Sequence, residues 1–277
     1  MNPLRALQET DPLRLVAFVV VAIVLLMAAF GPMLAPYDPL SPNPSLRLLA
    51  PSPAHLMGTD HLGRDIFSRV LAGARLSVGL ALLVVAVSAV VGVALGLLAG
   101  AGGRLVDAVV MRTTDTFFAF PELVAALAVA GILGGGGLEI LLALGVVGWM
   151  RYARVVRGVT LATAASEHVA LARLSGVRSW RIAIDHLLPP VLPATVVMMT
   201  SHLARSIMAI ASLGFLGFGA QPPHPEWGTI LLEGRTYILS APYYALLPGI
   251  PIVVATLAFN LAGDTLRDRI GAGREAP

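Results

Sequence analysis

The sequence predicts an all-α integral membrane protein with about six transmembrane helices and with both termini in the cytoplasm. Three observations favour this fold class. The chain has 277 residues, of which 57% are hydrophobic and only 13% charged, against about 25% charged residues in soluble domains. Long apolar runs alternate with polar or Gly- and Pro-rich stretches. All basic residues are arginine, and they concentrate in alternate stretches between these runs.

The first span is predicted at 15–34, because 20 uncharged residues would cover about 30 Å as a helix. A cleaved signal peptide is disfavoured, since its apolar region is usually about 7 to 15 residues long. The stretch 31–53 contains seven prolines and is predicted to be extended and solvated. For the charged, turn-rich stretch 55–69 we predict a capped amphipathic helix at the membrane interface, with Asp65 near its start.

The second span is predicted at 76–103, which is uncharged. Small residues that recur every fourth position would lie on one face of this helix and allow a neighbouring helix to approach closely. They are Ser88, Gly92, Gly96 and Gly100. A polar connection at 104–115 then leads to the third span, 116–133, which only Pro121 and Glu122 interrupt.

The fourth span is the shortest, because 140–150 offers only 11 residues between charges. It crosses the membrane if the helix continues toward Val156, with three arginines at a spacing of three snorkelling to the headgroups. These are Arg151, Arg154 and Arg157. The fifth and sixth spans are predicted at 191–213 and 243–262, joined by an outer segment rich in Gly and Pro.

The polar stretch 151–190 separates the fourth and fifth spans and carries six arginines. We interpret it as a compact cytoplasmic knob of two short helices. Ser166 would cap the first helix, and Gly176 would let the chain reverse. Ser179 would cap the second helix, and the two prolines at 189–190 would end it. A basic knob of this kind suits a soluble partner that pushes on the membrane spans.

Arginine counts set the orientation. With the N-terminus inside, cytoplasmic segments hold thirteen arginines and outer segments five, and arginine accumulates on the cytoplasmic side of membrane proteins. This bias explains the basic charge without a nucleic-acid partner. The chain divides into 1–75, with the cytoplasmic tail, first span and an extracytoplasmic segment, and 76–277, the transmembrane domain that contains the knob.

The residues exclude the common catalytic sites. A P-loop needs a lysine, and the chain has none; a nucleophile elbow and a His-Glu-x-x-His motif are also absent. The absence of cysteine excludes disulfides and thiolate metal sites, and the six histidines lack the spacing of a preformed metal site. We therefore expect no enzyme activity and no metal site in this chain.

Three ionisable residues fall within predicted spans, where a charge normally faces a cavity or a partner. They are Glu122, His202 and Arg205. His202 and Arg205 are three residues apart and so share a face of the fifth helix. One hypothesis is that they line or gate a polar pathway. The other is that Arg205 forms a structural pair with Glu122 or with a neighbouring subunit.

Four stretches resemble a known family. The knob has Gly176, nine further residues and then His-Leu-Leu-Pro at 186–189, and it resembles the cytoplasmic coupling loop of ABC-importer permeases. Three other stretches resemble the peptide and nickel branch of that family. They are Gly-Thr-Asp-His-Leu-Gly-Arg-Asp at 58–65 with Ser-Arg at 68–69, the Phe-Leu-Gly-Phe-Gly and Pro-Pro-His-Pro-Glu-Trp-Gly run within 215–228, and Gly-Asp with Leu-Arg-Asp within 263–268.

This resemblance implies a multi-pass subunit of the bacterial inner membrane with the type I importer permease fold. It implies a second permease, two cytoplasmic ATPases that bind ATP and magnesium, and an extracytoplasmic solute-binding protein as partners, with no cofactor in this chain. By position, the coupling loop would insert into a cleft of the ATPase. Its residues are Glu167, Val169, Ala170, Leu171, Ala172, Arg173, Leu174, Ser175, Gly176, Arg181, His186 and Pro189.

The coupling loop departs from the family pattern at one point. Such loops usually begin Glu-Ala-Ala, whereas the matching positions 170–172 read Ala-Leu-Ala, so the acidic contact is missing. Glu167, one turn earlier, is the nearest acid in the sequence. The run 173–176 followed by Asp-His-Leu at 185–187, together with His61, looks more like the nickel-permease subunit than the dipeptide one. We therefore expect nickel or a nickel chelate as substrate, with di- or oligopeptides as the alternative and selectivity residing largely in the binding protein.

Two other classes of membrane protein are alternatives to the importer. A secondary transporter driven by an ion gradient would show internal repeats and midplane carboxylates; no repeat is found, and only Glu122 qualifies as such a carboxylate. A scaffold subunit without a pathway is the other class. Neighbouring genes for a P-loop ATPase pair, a second permease and a binding protein would decide for the importer.

Overall fold

The computed structural model describes residues 12–221 and 223–272. Most of the predicted N-terminal tail and the last five residues of the chain lie outside these ranges. Within them the protein is helical, and the one extended pairing is an isolated β-bridge between Thr59 and Asp65. The prediction of an all-α fold is therefore confirmed.

The described residues contain helices α1 to α11. Their bounds are Pro12–Leu34, Ile66–Ala101, Arg104–Phe118, Glu122–Leu133, Gly137–Ala164, Glu167–Leu174, Ser179–Ile182, Leu188–Leu213, Trp227–Arg235, Pro242–Leu246 and Gly249–Ala272. A 3₁₀ turn, Pro44–Leu46, lies in the segment between α1 and α2. Two π-helical turns, Ala183–Leu187 and Gly214–Phe218, directly precede and follow α8.

Four helical stretches are long and apolar enough to cross a membrane, and α3 with α4 passes the same test as a pair bent by 90°. The four are Pro12–Leu34, Ile66–Ala101, Ser179–Phe218 and Pro242–Ile270. The predicted fourth span corresponds to α5, which has 28 residues and includes Glu139 and three arginines. At 1.5 Å per residue, α5 would reach about 42 Å, which is long enough to span. The count of six spans and the cytoplasmic termini stay predictions.

The second span begins earlier than predicted, and the predicted interfacial helix at 55–69 is wrong. Residues 55–65 form turns, and α2 then runs for 36 residues from Ile66. Asp65 caps this helix, as expected of an acid at its start, and accepts a 2.7 Å hydrogen bond from the backbone N–H of Ser68. Arg69 does not interrupt the helix, because its charge is buried in ion pairs with acidic side chains.

The predicted polar connection at 104–115 is also wrong, because these residues belong to α3. This helix ends at Phe118, and Pro121 then occupies the cap position of α4 at the 90° bend. A proline is tolerated there, since the first residues of a helix have no intrahelical acceptor for their N–H groups. The stretch predicted as the third span is thus divided between two helices and is not one continuous rod.

The α2–α5 contact is a seam of small residues, which confirms the predicted close packing. A Cβ atom added to Gly92 would lie 2.4 Å from Tyr152 Cβ, and one added to Gly96 would lie 2.6 Å from Val156 Cβ. Gly100 meets Thr160 in the same way. Nearer the start of α2 and of α5, side chains of α1, α4, α8 and α11 pack with these two helices in the main hydrophobic core.

The connection from the knob into α8 differs from the prediction. The two prolines at 189–190 directly follow the π-helical turn Ala183–Leu187 and lie within the continuous helical stretch Ser179–Phe218, so they do not end a helix. Ser166 occupies the cap position of α6, but its hydroxyl donates to the Thr163 carbonyl instead of capping. Ser179 is the first residue of α7, and Arg178 takes the cap position.

Candidate functional site

The knob consists of α6, the turn at Gly176 and α7. Gly176 has φ of +77°, the left-handed region that favours glycine, so the predicted reversal is confirmed. Val169, Ile182 and Leu187 are buried in a small core beneath the knob. This core also contacts Leu97 near the end of α2 and Ala164 at the end of α5. The knob is therefore packed onto the ends of two long helices and is more than a tether.

The outer surface of the knob is apolar and basic. Four large apolar side chains are exposed on it: Leu171, Leu174, Trp180 and Ile184. Leu174 is 85% exposed and Trp180 is 55% exposed. The guanidinium of Arg181 lies over the Trp180 ring, 5.3 Å from its centroid. Apolar patches of this kind mark protein interaction surfaces.

The predicted docking residues divide into two groups. Those exposed on the knob are Glu167, Ala170, Leu171, Arg173, Leu174, Ser175, Gly176, Arg181 and Pro189, whereas Val169 is fully buried and Ala172 and His186 are half-buried. The sequence prediction missed Trp180 and Ile184. The signal that would have found them is the presence of large apolar residues in an otherwise basic, polar stretch.

A ladder of three ion pairs joins α5 to the α3–α4 pair. Arg157 binds Asp107 in a two-pronged arrangement, Arg154 Nη2 lies 2.6 Å from Asp115 Oδ1, and Arg151 pairs with Glu122. The three arginines share one face, as their spacing predicted. Their positive charges are neutralised by carboxylates of this chain, so the prediction that they snorkel to the headgroups is wrong.

The two ionisable residues of α8 have different surroundings. His202 is buried, and its Nδ1 lies 3.0 Å from the hydroxyl of Tyr152 on α5. Arg205, one turn later, is exposed and makes no hydrogen bond or ion pair with the described residues. The predicted pairing of Arg205 with Glu122 does not form within this chain, because Arg151 is the partner of that carboxylate.

The segment between α1 and α2 is held to α9 and α10 by a charged cluster. Its members are Asp60, Arg64, Arg69, Glu233 and Tyr244. Arg69 Nη1 lies 2.7 Å from Asp60 Oδ2 and 2.5 Å from Glu233 Oε2. Arg64 binds the same two carboxylates at 2.6 and 3.2 Å, and the Tyr244 hydroxyl donates to Glu233 at 2.8 Å. Burial alone would raise the pKa of Glu233, but the bonds and charge of Arg69 outweigh it and lower that pKa.

Each polar residue of the 58–65 motif has a structural partner. Gly58 and Gly63 have φ of +74° and +77°, which their tight turns require. Asp60 Oδ1 accepts hydrogen bonds from the backbone N–H groups of Leu62 and Arg64. Asp65 accepts from His55 Nδ1 at 3.0 Å in addition to capping α2. The motif therefore builds a rigid outer loop.

Asp60, His61 and Glu233 place possible metal-ligand atoms within 4.8 Å of one another. Two observations disfavour a metal here. The two carboxylates already share two guanidinium groups, so a cation would have to displace buried charges. The Tyr244 hydroxyl donates to Glu233 and therefore accepts from His61 Nδ1 at 3.0 Å, which occupies that nitrogen.

The 215–228 motif joins α8 to α2 through Glu226 and Trp227. Glu226 is fully buried and caps α9, accepting from the backbone N–H groups of Gly228 and Thr229. The Ser77 hydroxyl donates to Glu226 and accepts from the Trp227 backbone N–H. Burial raises the pKa of Glu226, against the opposing effect of these hydrogen bonds.

Comparison with known families agrees with this arrangement. The family described as the inner membrane component of binding-protein-dependent transport systems matches residues 92–274, which include the knob and the ion-pair ladder. The chain belongs to this permease family. A second family, the N-terminal transmembrane domain of oligopeptide transport permease C, matches residues 10–51, which include α1. The permease is therefore a multi-pass inner-membrane protein.

The alignments with curated relatives cover most of this permease and most of each relative. A dipeptide transport system permease protein of Alkalihalophilus pseudofirmus is 38% identical over 95% of this chain and 86% of its own. A glutathione transport system permease protein of Pectobacterium atrosepticum is 41% identical over 90% and 83%. A nickel transport system permease protein of Escherichia coli K12 is 36% identical over 92% of each chain. The chain is thus a permease of the peptide and nickel class of ABC importers.

Proposed function

We propose that this permease subunit forms, with a second permease, the membrane pathway through which short peptides are imported. Separate cytoplasmic ATPases drive the cycle, and an extracytoplasmic binding protein delivers the solute. The observation that carries the proposal is the knob, which presents exposed leucine and tryptophan side chains beside three arginines on a support packed against α2 and α5. Movement of a partner bound to this surface would be transmitted to both helices.

The knob residues that dock the ATPase are proposed to be the exposed ones. Leu171, Leu174 and Trp180 supply apolar area that water would otherwise contact. Arg173 and Arg181 supply positive charge, and Glu167, which is exposed, supplies the acidic group that the 170–172 positions lack. Val169 acts from beneath by holding the knob together.

Peptides are proposed as the substrate in place of nickel. Two of the three relatives described above are named for dipeptide and glutathione transport, and the third, of comparable similarity, is named for nickel. The expectation of nickel rested on the 173–176 run and His61. The knob faces the motor and not the solute, and His61 is stacked on Tyr237 and Tyr244 within a neutralised cluster. Neither feature supports a metal substrate.

Nickel is retained as the second candidate because a relative of comparable similarity is named for nickel transport. Uptake of labelled dipeptide and of labelled nickel by a strain lacking this gene, with and without the gene restored, separates the two. Restored uptake of dipeptide alone supports the proposal. Restored uptake of nickel alone refutes peptide as the substrate.

The docking assignment is tested by Gly176→Val. Valine is strained at φ of +77°, and no neighbouring atom lies within 4 Å of its Cβ position, so its effect is confined to the backbone turn. We expect the variant permease to insert and to pair with its partner permease, while the ATPases no longer co-purify with it. Gly158→Val is the matched control, since that position in α5 is equally open and helical. Normal ATPase recovery with Gly176→Val would refute the assignment.

A further inference from the structure

Arg205 presents a positive charge on the membrane-embedded surface of α8. It lies eight residues, about 12 Å, before the end of this helix at Leu213. Its side chain is exposed and has no hydrogen-bonding or ion-pair partner among the described residues. A guanidinium at membrane depth is costly unless it faces water or an opposite charge. This surface therefore does not face lipid in the assembled importer.

The groups around Arg205 leave its charge uncompensated. Arg205 is near enough to Arg151 and Glu122 to interact with both electrostatically. Arg151 already holds the Glu122 carboxylate in an ion pair. The three side chains together carry a net charge of one positive unit, and Arg205 is the surplus cation. A bare divalent cation would be repelled by this surface, whereas an anion would be attracted to it.

The position of Arg205 is fixed by the helix packing beside it. One turn earlier, His202 is buried against α5 and is hydrogen-bonded to Tyr152. Tyr152 is adjacent in sequence to Arg151, so this contact sets α8 against α5 where the Glu122–Arg151 pair lies. The backbone position from which the Arg205 side chain extends is thus fixed by this helix packing.

We propose that Arg205 is a specificity-determining residue that binds the carboxylate of the solute as it passes through the membrane pathway. The inference rests on the proposed import of peptides and adds which group of the solute this chain recognises. A guanidinium suits that task because its planar donors match a carboxylate in a two-pronged geometry. The Glu122–Arg151 pair beside it supplies no further free cation, so a single carboxylate is bound.

The test uses the complete importer reconstituted in liposomes with its binding protein. Uptake of a labelled dipeptide and of the same dipeptide with an amidated C-terminus is measured for wild type, Arg205→Gln and Arg205→Lys. The uptake rate of each variant is divided by the wild-type rate for the same solute, so differences in the binding protein's affinity for the two solutes cancel. Arg112→Gln is the matched control, because Arg112 is an exposed arginine of α3 without an ion pair among the described residues.

We expect Arg205→Gln to lower uptake of the free-acid dipeptide about tenfold, which corresponds to the loss of one charge-assisted contact. Arg205→Lys should retain at least about half, and uptake of the amide should change by less than about twofold. Unchanged uptake of the free acid by Arg205→Gln would overturn the inference, as would an equal loss for acid and amide.

Two further outcomes have distinct meanings. If Arg205→Gln no longer co-purifies with the second permease, the counter-charge is an acid of that subunit and the inference fails. If the wild-type importer takes up nickel and no peptide, the proposed substrate fails. A wild type that transports peptide and is indifferent to Arg205→Gln refutes only the role of Arg205.

Discussion

Arg69 and Glu233 form a two-pronged ion pair, with Nη1–Oε2 and Nη2–Oε1 distances of 2.5 and 3.1 Å, although they are 164 residues apart in the chain. Arg69 is only 1% exposed. The pair fixes the outer end of α2 to α9, so the outer loop and the segment after α8 form one unit. Asp60 and Arg64 also belong to this cluster, so its two carboxylates are balanced by two guanidinium groups.

Replacing Arg69 by alanine should destabilise this outer unit strongly. The change leaves the buried Asp60 and the half-buried Glu233 with one guanidinium between them, and breaking a fully buried pair costs about 3–5 kcal/mol. The expected measurement is a clear fall in the apparent melting temperature of the purified permease in detergent. Arg47→Ala, at an exposed position of the same outer segment, should leave that temperature within about 1 °C. A similar small shift for both variants would contradict the proposed role of the cluster.

The stability of the outer unit should decrease with rising pH because of Glu226. Its folded-state pKa is raised above the ordinary value of 4.5, so the protonated acid is favoured in the fold. The resulting stabilisation is complete below that ordinary value and is lost as the pH rises through the raised one. One such group changes the free energy of unfolding by at most about 1.4 kcal/mol per pH unit.

Glu226→Gln should flatten this pH dependence, because glutamine is neutral throughout. The measurement is the apparent melting temperature in detergent between about pH 5 and pH 8, for wild type and variant side by side. Glu139→Gln, in the first turn of α5, is the control and should keep the wild-type slope. Identical slopes for wild type and Glu226→Gln would show that burial of this carboxyl does not govern the effect.

The seam between α2 and α5 should not accept a larger residue. A Cβ at Gly96 would lie 2.6 Å from Val156 Cβ and 2.8 Å from the Ala153 carbonyl oxygen, so Gly96→Ala forces the helices apart. Overpacking of this kind costs about 1–3 kcal/mol. Gly79→Ala, in the same helix with open space around it, should be neutral or stabilising by up to about 1 kcal/mol. Thermal unfolding in detergent compares the two variants, and equal stabilities would refute the seam.

The features that could be predicted from the sequence are those with a local signal. Long apolar runs predicted α1, α8 and α11, and the period-four recurrence of small residues predicted the seam that Gly92 and Gly96 form with α5. Gly176 predicted the reversal in the knob, because few other residues adopt a positive φ. In each case neighbouring residues carry all the information that the prediction needs.

The features that could not be predicted depend on partners distant in the chain. The polar sequence of α3 was predicted to be a connection between spans. The arginines of α5 that neutralise its carboxylates lie up to 50 residues later, so the local sequence did not reveal them. Arg69 was assigned to the end of an interfacial helix, because the sequence does not show that Glu233 is its ion-pair partner. His202 and Arg205 looked equivalent, since they are three residues apart, but the edge of the α5–α8 contact falls between them, so one is buried and the other exposed.

The ion-pair ladder should tolerate an exchange of its charges but not a single reversal. Asp107→Arg places two guanidinium groups in contact at Arg157, and Arg157→Asp places two carboxylates in contact; the double exchange restores an opposite pair. Both side chains are about a third exposed, so each pair is worth only about 1 kcal/mol, a shift of roughly 2–4 °C in melting temperature. The larger effect is expected in uptake, because these pairs fix the bent α3–α4 helix pair to α5, next to the knob.

A double-mutant cycle in the reconstituted importer measures this coupling. We expect each single reversal to lower dipeptide uptake several-fold and the double exchange to recover at least about half of the wild-type rate. The exposed pair of Arg14 and Asp268, which joins α1 to α11 at 3.0 Å, is the matched control, and its reversal should have little effect because exposed pairs contribute little. If the double exchange is no better than the worse single variant, the ladder holds the bent span by the shape of these side chains and not by their charge.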